Sequence, residues 1–268
     1  MKKIWIVIVA IALILSACQG GTDSSVAVFD GLELDSVTVD TTMMLANRND
    51  APFCRLHMTL VYVKGTNAQA VNDSVIHAGI LVPDYFAIGH EPLTMKQVAD
   101  SFIIRYLDDY KREFGAFYHQ DPEHAASYIN EYTLTTHVER GKDGMMVYLA
   151  NSYLFAGGSH GTITTIAKNV NVKTGKVMQL SDVFVEGFEL RLNELIEKRL
   201  CKQMKVKTID ELRDKGIFDG IDVYATDNFI MGEKNMTFIY VEDEIAPHSM
   251  GEIRVVLDYG ELNGIMKR

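Results

Sequence analysis

Two short segments of this 268-residue chain combine the residue types that could do chemistry. The first is Tyr153-Leu154-Phe155-Ala156-Gly157-Gly158-Ser159-His160-Gly161. By type, Ser159 and His160 are the nucleophile and base of a hydrolase. Neighbours on a turn, however, rarely reach the hydrogen-bond geometry that pair needs, and no carboxylate is assigned to orient the imidazole. Gly157 and Gly158 read instead as a structural turn, permitting positive φ and a tight reversal with exposed amides. The second segment is Glu242-Asp243-Glu244 followed by Ile245-Ala246-Pro247-His248-Ser249-Met250-Gly251. The three acids lack the alternating Asp/Asn/Gly loop of a calcium site, so a solvated turn is expected. The irregular stretch after them is a surface cover or a recognition loop. His119 and His124 flank Pro122 at a spacing that could hold a metal, but the local sequence supplies no further ligand. The signature HExxH, the P-loop and the dinucleotide fingerprint are all missing. No catalytic residue, metal or cofactor is expected.

The N-terminus specifies where these segments work. Lys2 and Lys3 precede an uncharged apolar run from Ile4 to Leu15. That run is short of the roughly 20 residues a spanning helix requires, and it fits a secretory signal peptide. Leu15-Ser16-Ala17-Cys18 then has the pattern of a lipoprotein cleavage site. Residues 1–17 are expected to be removed, Cys18 lipidated, and residues 18–29 to serve as a tether. Gln19, in place of Asp, points towards the outer membrane. Cleavage takes away two lysines and no acid, moving the formal charge from −10 to −12. Nucleic acid is thereby excluded as a partner, because phosphate binding needs clustered Lys and Arg. Solubility or a basic protein partner suits such a surface. Cys54 and Cys201 remain, either bridged or as two buried free thiols.

An α+β fold is expected to carry the segments: antiparallel sheets with packed amphipathic helices, in two associated subdomains over 30–150 and 151–268. Alternation predicts strands at Leu32–Val39 and Cys54–Val63. Asn67 is expected to cap a helix running to Ile80. Thr94 and Gln97 have capping-box spacing ahead of an apolar stripe of Val98, Phe102, Ile103, Tyr106, Leu107 and Tyr110. Three β runs, Tyr128–Val138, Met145–Phe155 and Thr162–Val172, are separated by glycine turns and predict an antiparallel meander. A Lys173-Thr174-Gly175-Lys176 hairpin follows. Helices are expected near Phe188–Met204 and Ile209–Arg213, and closing strands at Phe229–Gly232, Met236–Val241 and Gly251–Leu257.

Several of these residues together resemble a known family. The aromatic-x-x-x-Gly-Gly-small-His pattern ending at His160 is followed by the Thr174-Gly175-Lys176 hairpin and Leu180-Ser181-Asp182-Val183-Phe184. Ile245-Ala246-Pro247 with Gly251 and the closing Val255-Val256-Leu257-Asp258-Tyr259-Gly260-Glu261-Leu262 complete the set. From Tyr153 to Leu262 the chain resembles the domain-of-unknown-function family that forms the extracytoplasmic sensor of the lysozyme-binding anti-sigma-V factor. Related domains accompany peptidoglycan deacetylases. Residues 30–150 resemble, more weakly, the α/β module that precedes it. The resemblance implies a non-catalytic binding domain in which two halves form one surface. In the lysozyme-sensing member that surface fills the enzyme's cleft. By motif the ligand-binding candidates are Ser159, His160, Glu244, Pro247 and His248. Two positions depart from the family: His248 stands where an aromatic residue is common, and Ser159 where alanine is common. No anti-sigma cytoplasmic segment or transmembrane helix is expected. The leading expectation is a lipid-anchored envelope protein that binds a lysozyme-like protein or a cell-wall glycan. The alternatives are an envelope polysaccharide hydrolase or deacetylase (or its accessory subunit) using His160 and an acid of 242–244, and a structural lipoprotein of an envelope complex.

Overall fold

The computed structural model describes residues 28–29, 31–87 and 92–267. The expected signal peptide at 1–17 and the lipidation site Cys18 lie outside the described residues, as does most of the 18–29 tether. Among the described residues, no helix is long and apolar enough to cross a membrane.

Two sheets are present. The larger has six strands in sequence order: β1 (Val28–Phe29), β2 (Leu32–Met44), β3 (Phe53–Lys64), β4 (Asn130–Arg140), β5 (Met146–Ala156) and β6 (Thr162–Val170). The last three form the expected antiparallel meander. One pairing departs from expectation, since β3 and β4 are parallel over Cys54–Thr59 and Asn130–Thr135. Helices α1 (Ala68–Ile76) and α2 (Met95–Gln120) connect these two strands. A parallel pair needs such a crossover, whereas a hairpin can only join antiparallel neighbours.

Local chemistry explains the helices. Thr94 accepts from the Gln97 amide, and the Gln97 side chain accepts from the Thr94 amide, so both halves of the capping box start α2. Its apolar stripe lies on the sheet with Val98 and Phe102 fully buried. Burying one such side chain stabilises the fold by about 1.5–3 kcal/mol. Helix α1 differs from expectation at both ends. It stops at Ile76, and Asn67 is left-handed and donates to Lys173 O at 2.9 Å rather than capping. The side chain is spent on tying α1 to the 173–176 turn.

The smaller sheet has three antiparallel strands, β7 (Phe229–Met231), β8 (Asn235–Tyr240) and β9 (Ile253–Asp258). Helices α3 (Leu180–Val183), α4 (Glu189–Met204) and α5 (Ile209–Arg213) precede it. Each sheet has its own core. One ends at Val172 and the other begins at Leu180. The subdomain division expected at residue 150 falls inside β5, in the middle of the larger sheet. Cys54 sits in the first core and Cys201 in the second, both as free, buried thiols.

Two asparagines join the halves where β6 and β7 meet as sheet edges. The Asn169 side chain donates to Phe229 O at 2.8 Å and accepts from Met231 N at 2.7 Å. Asn228 does the converse, accepting from Ala167 N and donating to Thr165 O, each at 2.7 Å. A carboxamide has the donor and acceptor of a peptide unit, so each side chain continues the ladder that the strands themselves do not. A third apolar cluster of Val147, Leu149, Ala167 and Ile239 fills the space behind this joint.

Candidate recognition site

The joint brings the β5–β6 turn beside the loop between β8 and β9. The turn is shaped by absent side chains. Gly157 has φ +72°, and a Cβ there would lie 2.0 Å from Ser127 O. A Cβ on Gly161 would lie 2.4 Å from the Tyr153 ring, which therefore covers the turn. Gly158 has no such constraint, with the nearest atom 3.8 Å away. The turn thus depends on Gly157 and Gly161; of the expected pair, only Gly157 is required by space. Ser159 and His160 are exposed at its tip. Ser159 makes no side-chain hydrogen bond among the described residues.

The β8–β9 loop is shaped by its side chains. Glu244 accepts from its own loop at Val241 N, 2.9 Å, and from the Tyr224 hydroxyl at 2.7 Å. Burial first, and this carboxylate second, push the Tyr224 phenol above its ordinary range. Glu242 reaches across to the other half and accepts from Ile163 N at 2.8 Å. The 242–244 segment is therefore not the solvated turn expected from its composition, since the Glu242 side chain is only 13% exposed. Asp243, with φ +63°, projects outward and meets His248 Nδ1 at 3.1 Å. Beneath the loop, Phe218 holds φ +54°, an unfavourable conformation for a bulky residue, and its amide donates to Ile245 O at 2.8 Å. Its ring packs edge-on against Tyr224 and Tyr240, with centroids 5.7 Å away in each case. Pro247 is exposed and closes over Gly216, where an added Cβ would lie 3.1 Å from the proline ring.

The two loops touch through their histidines. The rings of His160 and His248 stack with centroids 4.0 Å apart and an interplanar angle of 22°. His248 Nδ1 also lies 3.9 Å from Glu242 Oε2. Around the stack, Ile163 is 54% exposed and its cross-strand partner Tyr153 is 36% exposed. The result is a continuous face with an imidazole pair at its centre, an apolar flank on β5 and β6, and an acidic flank on the loop. Of the expected residues, His160 and His248 are in contact, Glu244 buttresses the loop from behind, and Pro247 shapes it. Ser159 stands beside the stack without a bonded role. Tyr153, Ile163, Tyr224 and Glu242 belong to the site and were not among the expected residues. Tyr224 lies in a segment with no periodic pattern, and the partner of Glu242 is 79 residues away in the chain.

Among the described residues, no three His, Cys, Asp or Glu side chains converge as metal ligands. His124 is paired with Asp121 at 2.7 Å, within its own turn. The carboxylates of the loop meet His248 and backbone amides rather than His160.

Comparison with known proteins finds a family model that matches part of the chain and solved structures that share its fold. Residues 181–260 match the model of DUF3298, a protein family of unknown function. A crystal structure of a DUF3298-family member from Bacteroides fragilis is 25% identical, with a TM-score of 0.78 over 88% of this chain and 94% of that one. A DUF3298-family protein from Pseudomonas aeruginosa shares the fold at 19% identity, with a TM-score of 0.56 over 87% of this chain and 94% of its own. Comparison with curated proteins finds no match.

Proposed function

Taking residues 181–260 as a domain of the DUF3298 family, we propose that the chain is a non-catalytic binding module, exported and held at the cell envelope by lipid on Cys18. Its recognition face is the surface around His160 and His248, and its partner is a protein with a basic surface, of which a lysozyme-like wall hydrolase is the specific case. The stacked imidazoles carry this reading: they join a loop from each half into one face, the arrangement implied by the resemblance to the lysozyme-binding sensor domain. Exposed Ile163 and Tyr153 supply apolar and aromatic contact area of the kind that anchors protein interfaces. Asp243 at the edge suits a basic partner, as does the acidic net charge. The lack of a side-chain hydrogen bond to Ser159 among the described residues, and the engagement of Glu242 and Glu244 with amides and Tyr224, support binding over hydrolysis.

Calorimetric titration of residues 19–268, which include every described residue, with a lysozyme at low and at physiological salt tests the proposal. Stoichiometric binding at physiological salt is expected, weakened about tenfold or more by His160→Ala or Ile163→Ala. Binding confined to low salt would be nonspecific charge attraction and would reject the lysozyme assignment. Wall-polymer hydrolysis or deacetylation that His160→Ala abolishes would reject the non-catalytic reading.

A further inference from the structure

A second site lies in the other half of the molecule, against α2. A cavity of about 300 Å³ opens between α2 and the segment of Pro83 and Tyr85, with Asn130 at the start of β4 lining it. The volume falls at the small end of ligand sites, which span about 300–1,000 Å³. Tyr106, Asp109, Tyr110 and Glu113 recur at three- and four-residue steps, so one face of α2 lines it, joined by Phe114 and by Tyr85 from the facing segment.

The bonding within this cavity distinguishes its walls from its free groups. Tyr106 OH donates to Asn130 Oδ1 at 2.9 Å, Tyr110 OH to Tyr128 O at 2.7 Å, and Tyr85 OH to Asp109 Oδ2 at 2.7 Å. Asp109 is also paired with Arg112. Three phenols are thus committed, which fixes their rings as walls. The groups left over are of both kinds. Asn130 is 92% buried, its exposure being 8%, and its amide N–H donors have no acceptor among the described residues. Glu113 is exposed at the mouth and has no ion pair or hydrogen bond among the described residues. Arg112 retains donors beyond the one on Asp109.

We propose that this aromatic-walled cavity binds a single neutral sugar ring. A ligand that accepts no hydrogen bond, such as an ammonium or tetramethylammonium ion, would leave the Asn130 donors unanswered once it shut water out of the cavity, and that costs free energy. An anion would meet Arg112 but also Asp109 and Glu113, two carboxylates against one guanidinium. A wholly apolar ligand would strand both kinds of group. Hydroxyls each donate and accept, and the C–H edges of a pyranose present apolar surface to aromatic rings. The mixed set of an amide donor, a guanidinium and a free carboxylate between four rings meets that description. This inference does not rest on the protein-recognition reading, and its test contains no protein partner.

The full chain is titrated with glucose, N-acetylglucosamine and tetramethylammonium, following ligand saturation transfer by NMR. At least one sugar is expected to bind saturably in the millimolar range, with tetramethylammonium not binding. Glu113→Ala, at an exposed position, is expected to weaken sugar binding about tenfold, the scale of one lost charge-assisted hydrogen bond. Phe114→Ala, which removes a half-buried wall, should weaken it as well, with an unchanged circular dichroism spectrum confirming the fold. Absence of saturable sugar binding, tetramethylammonium binding as well as the sugars do, or full binding by Glu113→Ala would each overturn the proposal.

Discussion

The two loops that meet at the histidine pair are held by opposite means. The β5–β6 turn has its shape because Gly157 and Gly161 leave room for Ser127 and Tyr153. The β8–β9 loop has its shape because Glu242, Glu244 and Tyr224 bond it in place over a strained Phe218. A loop defined by missing atoms breaks when an atom is added. A loop defined by hydrogen bonds breaks when a partner is removed. The face therefore has a brittle side and a graded side, and substitutions on the two sides should differ in kind as well as in size.

The brittle side yields the largest expected effect. Gly157→Ala puts a methyl group 2.0 Å from a backbone oxygen at a residue with φ +72°. Both the clash and the positive φ oppose it, and a loss of about 3 kcal/mol is expected from urea unfolding midpoints. Gly158→Ala, one residue on and unconstrained, should cost well under half as much. Equal costs for the two would mean that the turn relaxes freely, and the contrast between the loops would fail.

The joint between the halves comes next. Asn169→Ala removes a side chain that is 1% exposed and leaves Phe229 O and Met231 N without their partner. Two orphaned backbone groups at a buried edge should cost about 2–3 kcal/mol after relaxation. Asn228→Ala, half-buried, should cost less. If the halves are held mainly by the apolar cluster behind the joint, both substitutions will be nearly neutral.

On the graded side, Tyr224→Phe keeps the ring against Phe218 and Tyr240 but deletes the bond to Glu244. With Tyr224 36% exposed, water can replace much of that bond, and about 0.5–1 kcal/mol is expected in the same unfolding assay. A loss as large as that of Gly157→Ala would show that the loop, too, is brittle.

Sequence patterning reached some of this and not the rest, and the dividing line is range. The capping box at Thr94 and Gln97, the meander and α5 depend on residues a few positions apart, and all three are present. The parallel pairing of β3 with β4 depends on how a long helical crossover returns, which no local period encodes. The acidic run looked solvated because neither Ile163 N nor the Tyr224 hydroxyl is visible near it in the chain. The contact of His160 with His248 was approachable only through family resemblance, since each histidine by itself sits in an ordinary loop.

Thiol labelling, which in the unmodified chain leaves native stability untouched, asks whether the two halves open together. Cys54 and Cys201 report on separate cores. Burial pushes the Cys54 thiol up to about 12 from an ordinary 9.0, and it raises Cys201 as well, with Glu197 and Glu211 adding to the shift. A raised thiol pKa means that folding favours the protonated form. That contribution is complete below pH 9, and for Cys54 it is lost as pH climbs from about 9 to 12. At pH 8 both thiols of residues 19–268 should resist a disulfide reagent until the chain opens, because the thiolate is the reactive species. If the asparagine joint makes the molecule one cooperative unit, the two will label at the same rate in mild urea. Asn169→Ala should then separate them, with Cys201 labelling first, since its smaller sheet loses an edge partner while Cys54 keeps the whole of the larger one around it. Separate rates in the unmodified chain would mean that the halves already open independently, and that the face around the histidines forms only while both are closed.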